Sequence, residues 1–400
     1  MTSAASEDRP MRDAPQQPLV FCSPLRYVQG PGLSRRLAAE MQAVDLEGPV
    51  LISAGNAAIA SLAPAWAASF AEAGWAHRVL AFGGESSRRE IEAITAEAAG
   101  FAARAIVGAG GGKTLDAARS AAAALRLPFV SCPTVCSTDA PTSALSVIYA
   151  EEGPRRGSVE CYEIHRRSPD LVLIDTRVIA ESPPRFLAAG IGDALSTFYE
   201  ARAAVAGGAA NMRGGRSTLA ALALARLCRD VVFEHGAAAV AACRGRVVTE
   251  PFERVVEAAT LLSGLGFESA GLAAAHAVHN GLTAIPATHQ LLHGEKVAFG
   301  TLVHLMLEAT QSPAEAARAE ADAEARRVAA FLVGVGLPVT LGELGVDAAD
   351  AGAIAAIAER ATAPGETIHG MPFPVDAAAV VAAIAAADAV GRAARGNPPA

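Results

Sequence analysis

Between residues 49 and 176, short apolar runs alternate with alanine-rich stretches of helical period. PVLIS, HRVLAF, ARAIVGAG, PFVSCPT and LVLIDT are nearly unbroken apolar runs, the pattern of strands covered on both faces of a parallel sheet. Helical periodicity fills 56–73, 87–100 and 114–126, so right-handed crossovers onto an open sheet are expected. The segment 143–164, SALSVIYAEEGPRRGSVECYEI, instead reads as two extended runs around a Glu-Gly-Pro turn, a β-hairpin.

After about residue 178 the strand signal ends. Amphipathic helices run almost to the C-terminus, interrupted at Pro183-Pro184, Gly207-Gly208, Gly214-Gly215, Pro251, Gly336, Pro338 and Pro364. The predicted architecture is an α/β N-terminal domain with a parallel sheet (22–178) followed by an all-α C-terminal domain (179–395), with a ligand cleft between them. Residues 1–21 are expected to form a disordered leader. They lack an apolar signal core and carry acids that transit peptides avoid, which points to a cytoplasmic protein. The closing GRAARGNPPA is expected to fray, and no solenoid period is present.

Composition supports this picture and removes other classes. Four hundred residues exceed one ordinary core, and 52% hydrophobic with 18% charged residues describes a folded chain. A net charge of -8 and only 5% aromatic residues argue against a nucleic-acid partner. No charge-free apolar stretch of about 18 residues occurs, so no membrane partner is expected. The six cysteines form no Cys-x-x-Cys pair and read as free thiols. The apolar helical faces point to a homo-oligomer.

Four features carry candidate chemistry. Of 33 basic residues, only Lys113 and Lys296 are lysines, and both lie in motif-like stretches, as if a compact ammonium were needed there. Gly108, Gly110, Gly111 and Gly112 lie between a strand and a helix, where backbone N–H groups face a phosphate; Val107 and Lys113 exclude both the Walker and the G-x-G-x-x-G spacings. CPTVCSTDAPTSALSVIY follows a strand and gathers Thr134, Ser137, Thr138, Thr142 and Ser143 around Asp139, either as a site-lining loop or as an Asp-Ala-Pro turn. His276, His279, His289 and His293 fall within 18 residues, with the first pair at i, i+3, so two helices could converge on one metal. Asp193, at an apolar glycine-rich helix start, is the carboxylate for that site or else an N-cap.

These stretches together resemble the glycerol dehydrogenases, a branch of the metal-dependent polyol and alcohol dehydrogenases that share the dehydroquinate synthase fold. The blocks are SPLRYVQGPG, FGGESS, GAGGGKTLDAA, PTVCSTDAPTSALSVIY, VLIDTRVIAESPPRFLAAGIGDAL, GFESAGLAAAHAVHNGLTAIP, LLHGEKVAFGTL and GETIHGMPF. The resemblance implies that Asp193, His276 and His293 bind a divalent metal, usually zinc, with His279 and His289 outside the ligand set. It implies that Asp139 contacts a small polyol, glycerol. Asn56, Gly110, Gly111, Gly112, Lys113, Thr134, Ser137, Ser143, Leu145 and Tyr149 would contact NAD. The implied reaction is oxidation of glycerol, or a related vicinal diol, to dihydroxyacetone with hydride transfer to NAD.

Two positions depart from that pattern. Asn56 stands where similar enzymes carry an aspartate for the adenosine ribose, which opens the way to NADP, aided by Arg88 or Arg89. Cys136 stands where alanine is common. The rival readings are a phosphorylated-polyol dehydrogenase of the same fold, which needs several cations near the metal whereas 268–300 offers only Lys296, a dehydroquinate-synthase-like lyase, and a catalytically silent scaffold.

Overall fold

The computed structural model describes residues 17–151 and 158–396. Eight strands are present among them: β1 (Arg26–Gly30), β2 (Val50–Ala54), β3 (His77–Ala81), β4 (Ala105–Gly110), β5 (Phe129–Pro133), β6 (Leu145–Tyr149), β7 (Val159–Ile164) and β8 (Leu171–Asp175). Six form one parallel sheet in the order β1-β8-β5-β4-β2-β3. The four central strands are buried throughout, which is why each reads as an apolar run. β6 and β7 form the expected antiparallel hairpin; its Glu-Gly-Pro turn lies outside the described residues.

Helices α1 (Leu37–Gln42), α2 (Asn56–Glu72), α3 (Arg88–Gly100) and α4 (Gly112–Leu125) accompany the sheet. From residue 176 onward the chain is helical: α5 (Thr176–Glu181), α6 (Pro184–Gly207), α7 (Leu219–Arg244), α8 (Glu250–Glu257), α9 (Ser263–Ala270), α10 (Ala274–Leu282), α11 (His293–Gln311), α12 (Glu315–Val335), α13 (Ala351–Ala361) and α14 (Ala377–Gly396). α6 and α11 are buried almost along their lengths and form the centre of this half. α14 is long and apolar enough to span a bilayer, but it packs Val380, Ile384 and Ala387 into the helical core.

Three expectations change. β1 has no place in the apolar-run reading because it is a half-buried edge strand: Arg26 pairs with Glu40, and Gln29 Nε2 donates to Glu253 Oε2 at 2.6 Å. The leader reading fails at its C-terminal end, since Leu19 bridges to Arg216 and Val20 N–H donates to its carbonyl at 3.0 Å; residues 1–16 lie outside the described residues. The stretch 391–396 continues α14, because Gly391 seats the helix so close to the Val339 carbonyl that a Cβ would lie 1.8 Å from it.

Candidate active site

The parallel sheet delivers loops to one edge. At the ends of β2 and β4, Gly55 N–H donates to the Ala109 carbonyl at 3.1 Å, which sets Asn56, the first residue of α2, beside the glycine run. Gly110 ends β4 and α4 starts at Gly112, leaving first-turn N–H groups without intrahelical acceptors. Thr134 N–H donates to the Gly110 carbonyl at 3.0 Å and pins the loop after β5 against that turn. A Cβ at Gly112 would lie 3.6 Å from Thr138 Oγ1 and 3.8 Å from the Ala140 methyl, ordinary contact distances that place this loop beside the start of α4. Lys113 reaches Glu85 at 2.8 Å and lies 4.7 Å over the Tyr149 ring.

Ser143, Leu145 and Tyr149 belong to the hairpin side of this cleft. Arg119 and Asp116 of α4 hold that side in place. Arg119 donates to the carbonyls of Leu145 and Ala140 at 2.5 Å each, and Asp116 Oδ2 accepts Val147 N–H at 3.1 Å. Ser143 Oγ accepts Leu145 N–H at 3.4 Å, a local turn bond. Arg88 pairs with Glu160 and Glu163 of β7, and the exposed Arg89 with Glu151.

The helical half supplies the other wall. Asp193 lies in the middle of α6 rather than at a cap; the N-cap reading does not hold, because that helix begins at Pro184. His276 comes from α10, and His293 is the first residue of α11. One nitrogen or oxygen from each lies within 4.8 Å of the others. Asp193 Oδ1 is 3.1 Å from His293 Nε2 and 3.5 Å from His276 Nε2, but it makes no hydrogen bond with either and is buried. Three potential ligand atoms thus converge on a common point, with the Asp193 oxygen between the two imidazoles. That is the arrangement a divalent cation requires, and these residues fit one.

The approach is set by backbone contact. α6 and α11 touch at glycine: a Cβ on Gly294 would lie 1.8 Å from the Ala189 carbonyl oxygen, and one on Gly192 would lie 2.5 Å from the Gly294 carbonyl oxygen. His276 is oriented from behind by Glu200, two turns beyond Asp193 on α6. Glu200 Oε2 lies 2.5 Å from His276 Nδ1, while Oε1 accepts the N–H groups of Ala273 and His276 at 2.9 and 3.0 Å. Burial alone would raise the Asp193 carboxyl, but His293 and His276 outweigh it and hold it well below the usual range. For His276, burial opposes the cation and Glu200 with Asp193 override it, raising it well above an ordinary imidazole.

Asp139 joins this wall from the loop after β5. Its backbone N–H donates to Asp193 Oδ2 at 3.2 Å, and its own Oδ2 accepts from Ser263 Oγ at 2.7 Å. Burial and then the Asp193 charge push its carboxyl well above the carboxylate range. Ser263 begins α9 directly after a π-helical turn, Ala258–Leu262, whose Thr260 carbonyl accepts Thr142 Oγ1 at 2.5 Å.

The four-histidine cluster divides. The rings of His279 and His293 are centred 4.2 Å apart, but His279 Nδ1 lies 3.1 Å from Asn280 Oδ1 and its imidazole is held well below its usual pKa by burial and the neighbouring cations. His289 turns to the Thr283 carbonyl. Glu200 and Ser263 were absent from the sequence reading. The i+7 spacing of Glu200 from Asp193 on one helix was the available signal.

An open parallel sheet thus stands beside helices that carry an Asp-His-His donor set, an architecture suited to a metal-dependent oxidoreductase. The sequence model of the family described as iron-containing alcohol dehydrogenase matches residues 24–176. A glycerol dehydrogenase of Escherichia coli O6:H1 is 45% identical over 374 residues, covering 93% of this chain and 97% of its own. A glycolaldehyde reductase of Halobacterium salinarum is 43% identical, covering 93% and 98%. The crystal structure of glycerol dehydrogenase from Schizosaccharomyces pombe matches with TM-score 0.86 at 35% identity, over 94% of this chain and 92% of that one. The chain belongs to the iron-containing alcohol dehydrogenase family and is an alcohol oxidoreductase.

Proposed function

We propose that this protein is an NAD-dependent, zinc-dependent dehydrogenase that oxidises glycerol, or a closely related small vicinal diol, to the corresponding hydroxyketone. The observation that carries the reading is the buried Asp193 Oδ1, without a hydrogen bond and faced by the Nε2 atoms of His276 and His293. Two imidazoles and one carboxylate with the remaining position open are a catalytic zinc donor set. The 45% identity to a glycerol dehydrogenase along nearly its whole length supports the substrate.

Bound in the cleft, the metal supplies Lewis acidity that lowers a hydroxyl pKa, and the nicotinamide supplies the hydride acceptor. The remaining work falls to the protein. Asp193, His276 and His293 hold the cation, and Glu200 fixes the His276 ring so that Nε2 faces the site. Asp139, braced by Ser263, binds the diol's neighbouring hydroxyl. Asn56, Gly110, Gly111, Gly112, Lys113, Thr134, Ser137, Ser143, Leu145 and Tyr149 would hold the dinucleotide, and the open N–H groups of α4 would supply donors to its diphosphate. We place the protein in the cytoplasm as a homo-oligomer, consistent with its acidic charge and exposed Leu219 and Leu227.

The test is a panel of small diols and aldehydes assayed with both NAD and NADP, together with metal analysis. Glycerol-dependent NADH formation with one zinc per chain is the expected result. Absence of turnover with any diol, or iron as the only metal that supports it, overturns the corresponding part of the reading.

A further inference from the structure

Lys296 lies in the first turns of α11, one turn after His293, and only 7% of it is exposed. Among the described residues its ammonium has no hydrogen bond and no ion pair. The adjacent Glu295 is already engaged: its oxygens accept from Arg185 at 2.6 and 2.7 Å, and one also accepts Leu292 N–H at 2.7 Å. The charged neighbours of Lys296 are of both signs. Burial pushes it down to about 8, Glu295 pulls it up, and Lys113 pushes it down from the opposite wall. In turn, Lys296 helps to keep His279 neutral.

A largely buried ammonium without an ion-pair partner is less stable than one in water, and an anionic or acceptor-rich group placed beside it offsets that cost. An uncharged diol brings no charge. A dinucleotide brings a diphosphate with two negative charges, and the opposite wall already offers it the N-terminus of α4 and Lys113. The only two lysines among 33 basic residues, one from each half of the chain, are thus near enough for their charges to oppose each other.

We infer that Lys296 is a further cofactor-binding residue, which takes the dinucleotide's diphosphate from the helical side while Lys113 and the α4 amides take it from the sheet side. The inference rests on the dinucleotide reading above. It makes cofactor binding bridge the cleft, so that the nicotinamide is drawn toward the wall that carries Asp193, His276 and His293.

The experiment is equilibrium binding of NADH, ADP-ribose and adenosine to metal-loaded wild type, Lys296→Met and Lys296→Arg, with thermal unfolding of each protein without ligand. Lys296→Met should weaken ADP-ribose and NADH by about tenfold or more, as expected for a lost charge-assisted contact, and leave adenosine unchanged. Its ligand-free melting temperature should rise, because an unpaired buried charge has gone; this also shows that the variant is folded. Lys296→Arg should retain part of the affinity. Wild-type affinity of Lys296→Met for ADP-ribose overturns the inference, as does an effect confined to the KM for glycerol, which would assign Lys296 to the substrate. Failure of wild type to bind NADH or ADP-ribose overturns the dinucleotide reading itself and this inference with it. Should Lys296→Met not fold, Lys296→Gln carries the same expectations.

Discussion

Glu200 shows how much a single buried carboxylate decides. Its two oxygens accept both the N–H groups at the start of α10 and the Nδ1 side of His276, so the ring's other nitrogen is left facing the metal position. Glu200→Gln replaces an acceptor with a mixed group at that contact. Metal affinity should fall about 10- to 100-fold, measured by competition with a colorimetric chelator. Lys296 gives a prediction in pH. Its folded value of about 8 lies below the ordinary 10.5, so between those two values the unfolded chain binds more protons and stability rises with pH. Below pH 8 the penalty is present in full, about 3 kcal/mol for a shift of this size. In metal-free, cofactor-free protein, the stability gained by Lys296→Met should therefore be largest below pH 8 and shrink toward pH 10.5, followed by denaturant titration at each pH. Arg88 and Arg89 bear on cofactor choice: with both paired to glutamates, kcat/KM for NADP should fall below that for NAD by about tenfold or more despite Asn56, the scale of one unmatched charged contact. At this scale the sequence was legible where residues clustered, as with the four histidines, two of which the fold brings to Asp193. It was not legible for Glu200 or Ser263, which are ordinary residue types set against His276 and Asp139 only by the fold.

The elements explain why residues from α6, α10 and α11 converge. Glycine lets α6 and α11 approach until backbone meets backbone, and the first residue of α11 is then His293, next to Asp193. Gly294→Ala puts a methyl where the Ala189 carbonyl already lies, so the helices must part. Destabilisation at the upper end of the about 1–3 kcal/mol typical of overpacking is expected, read as a lower melting temperature, with metal affinity falling in the same variant. Buried central strands were readable because a sheet covered on both faces demands unbroken apolar runs. Edge strand β1 was not, since Arg26 and Gln29 point to partners that only the folded chain supplies. The π-helical turn Ala258–Leu262 left no sequence signal either, although it sets Ser263 against Asp139.

For the whole molecule, the division of labour between the halves has a measurable consequence. The proposed metal donors all lie on helices after residue 178, whereas the proposed dinucleotide contacts lie on the loops after β2, β4 and β5 and on the hairpin, with Lys296 the one contact from the helical side. Removing the metal should then abolish oxidation while leaving the dinucleotide surface standing, because Lys296 and the α4 N-terminus remain in place. Chelation should lower the melting temperature, since a ligand present at about 100 times its dissociation constant contributes about 2.7 kcal/mol to the folded state. NADH affinity should change by no more than about threefold, well under the tenfold that 1.4 kcal/mol of lost contact would produce. His293→Ala should reproduce all three results without chelator. If metal removal instead eliminates NADH binding, the two walls form one inseparable site, and the cofactor is held chiefly through the metal rather than through the sheet and the two lysines.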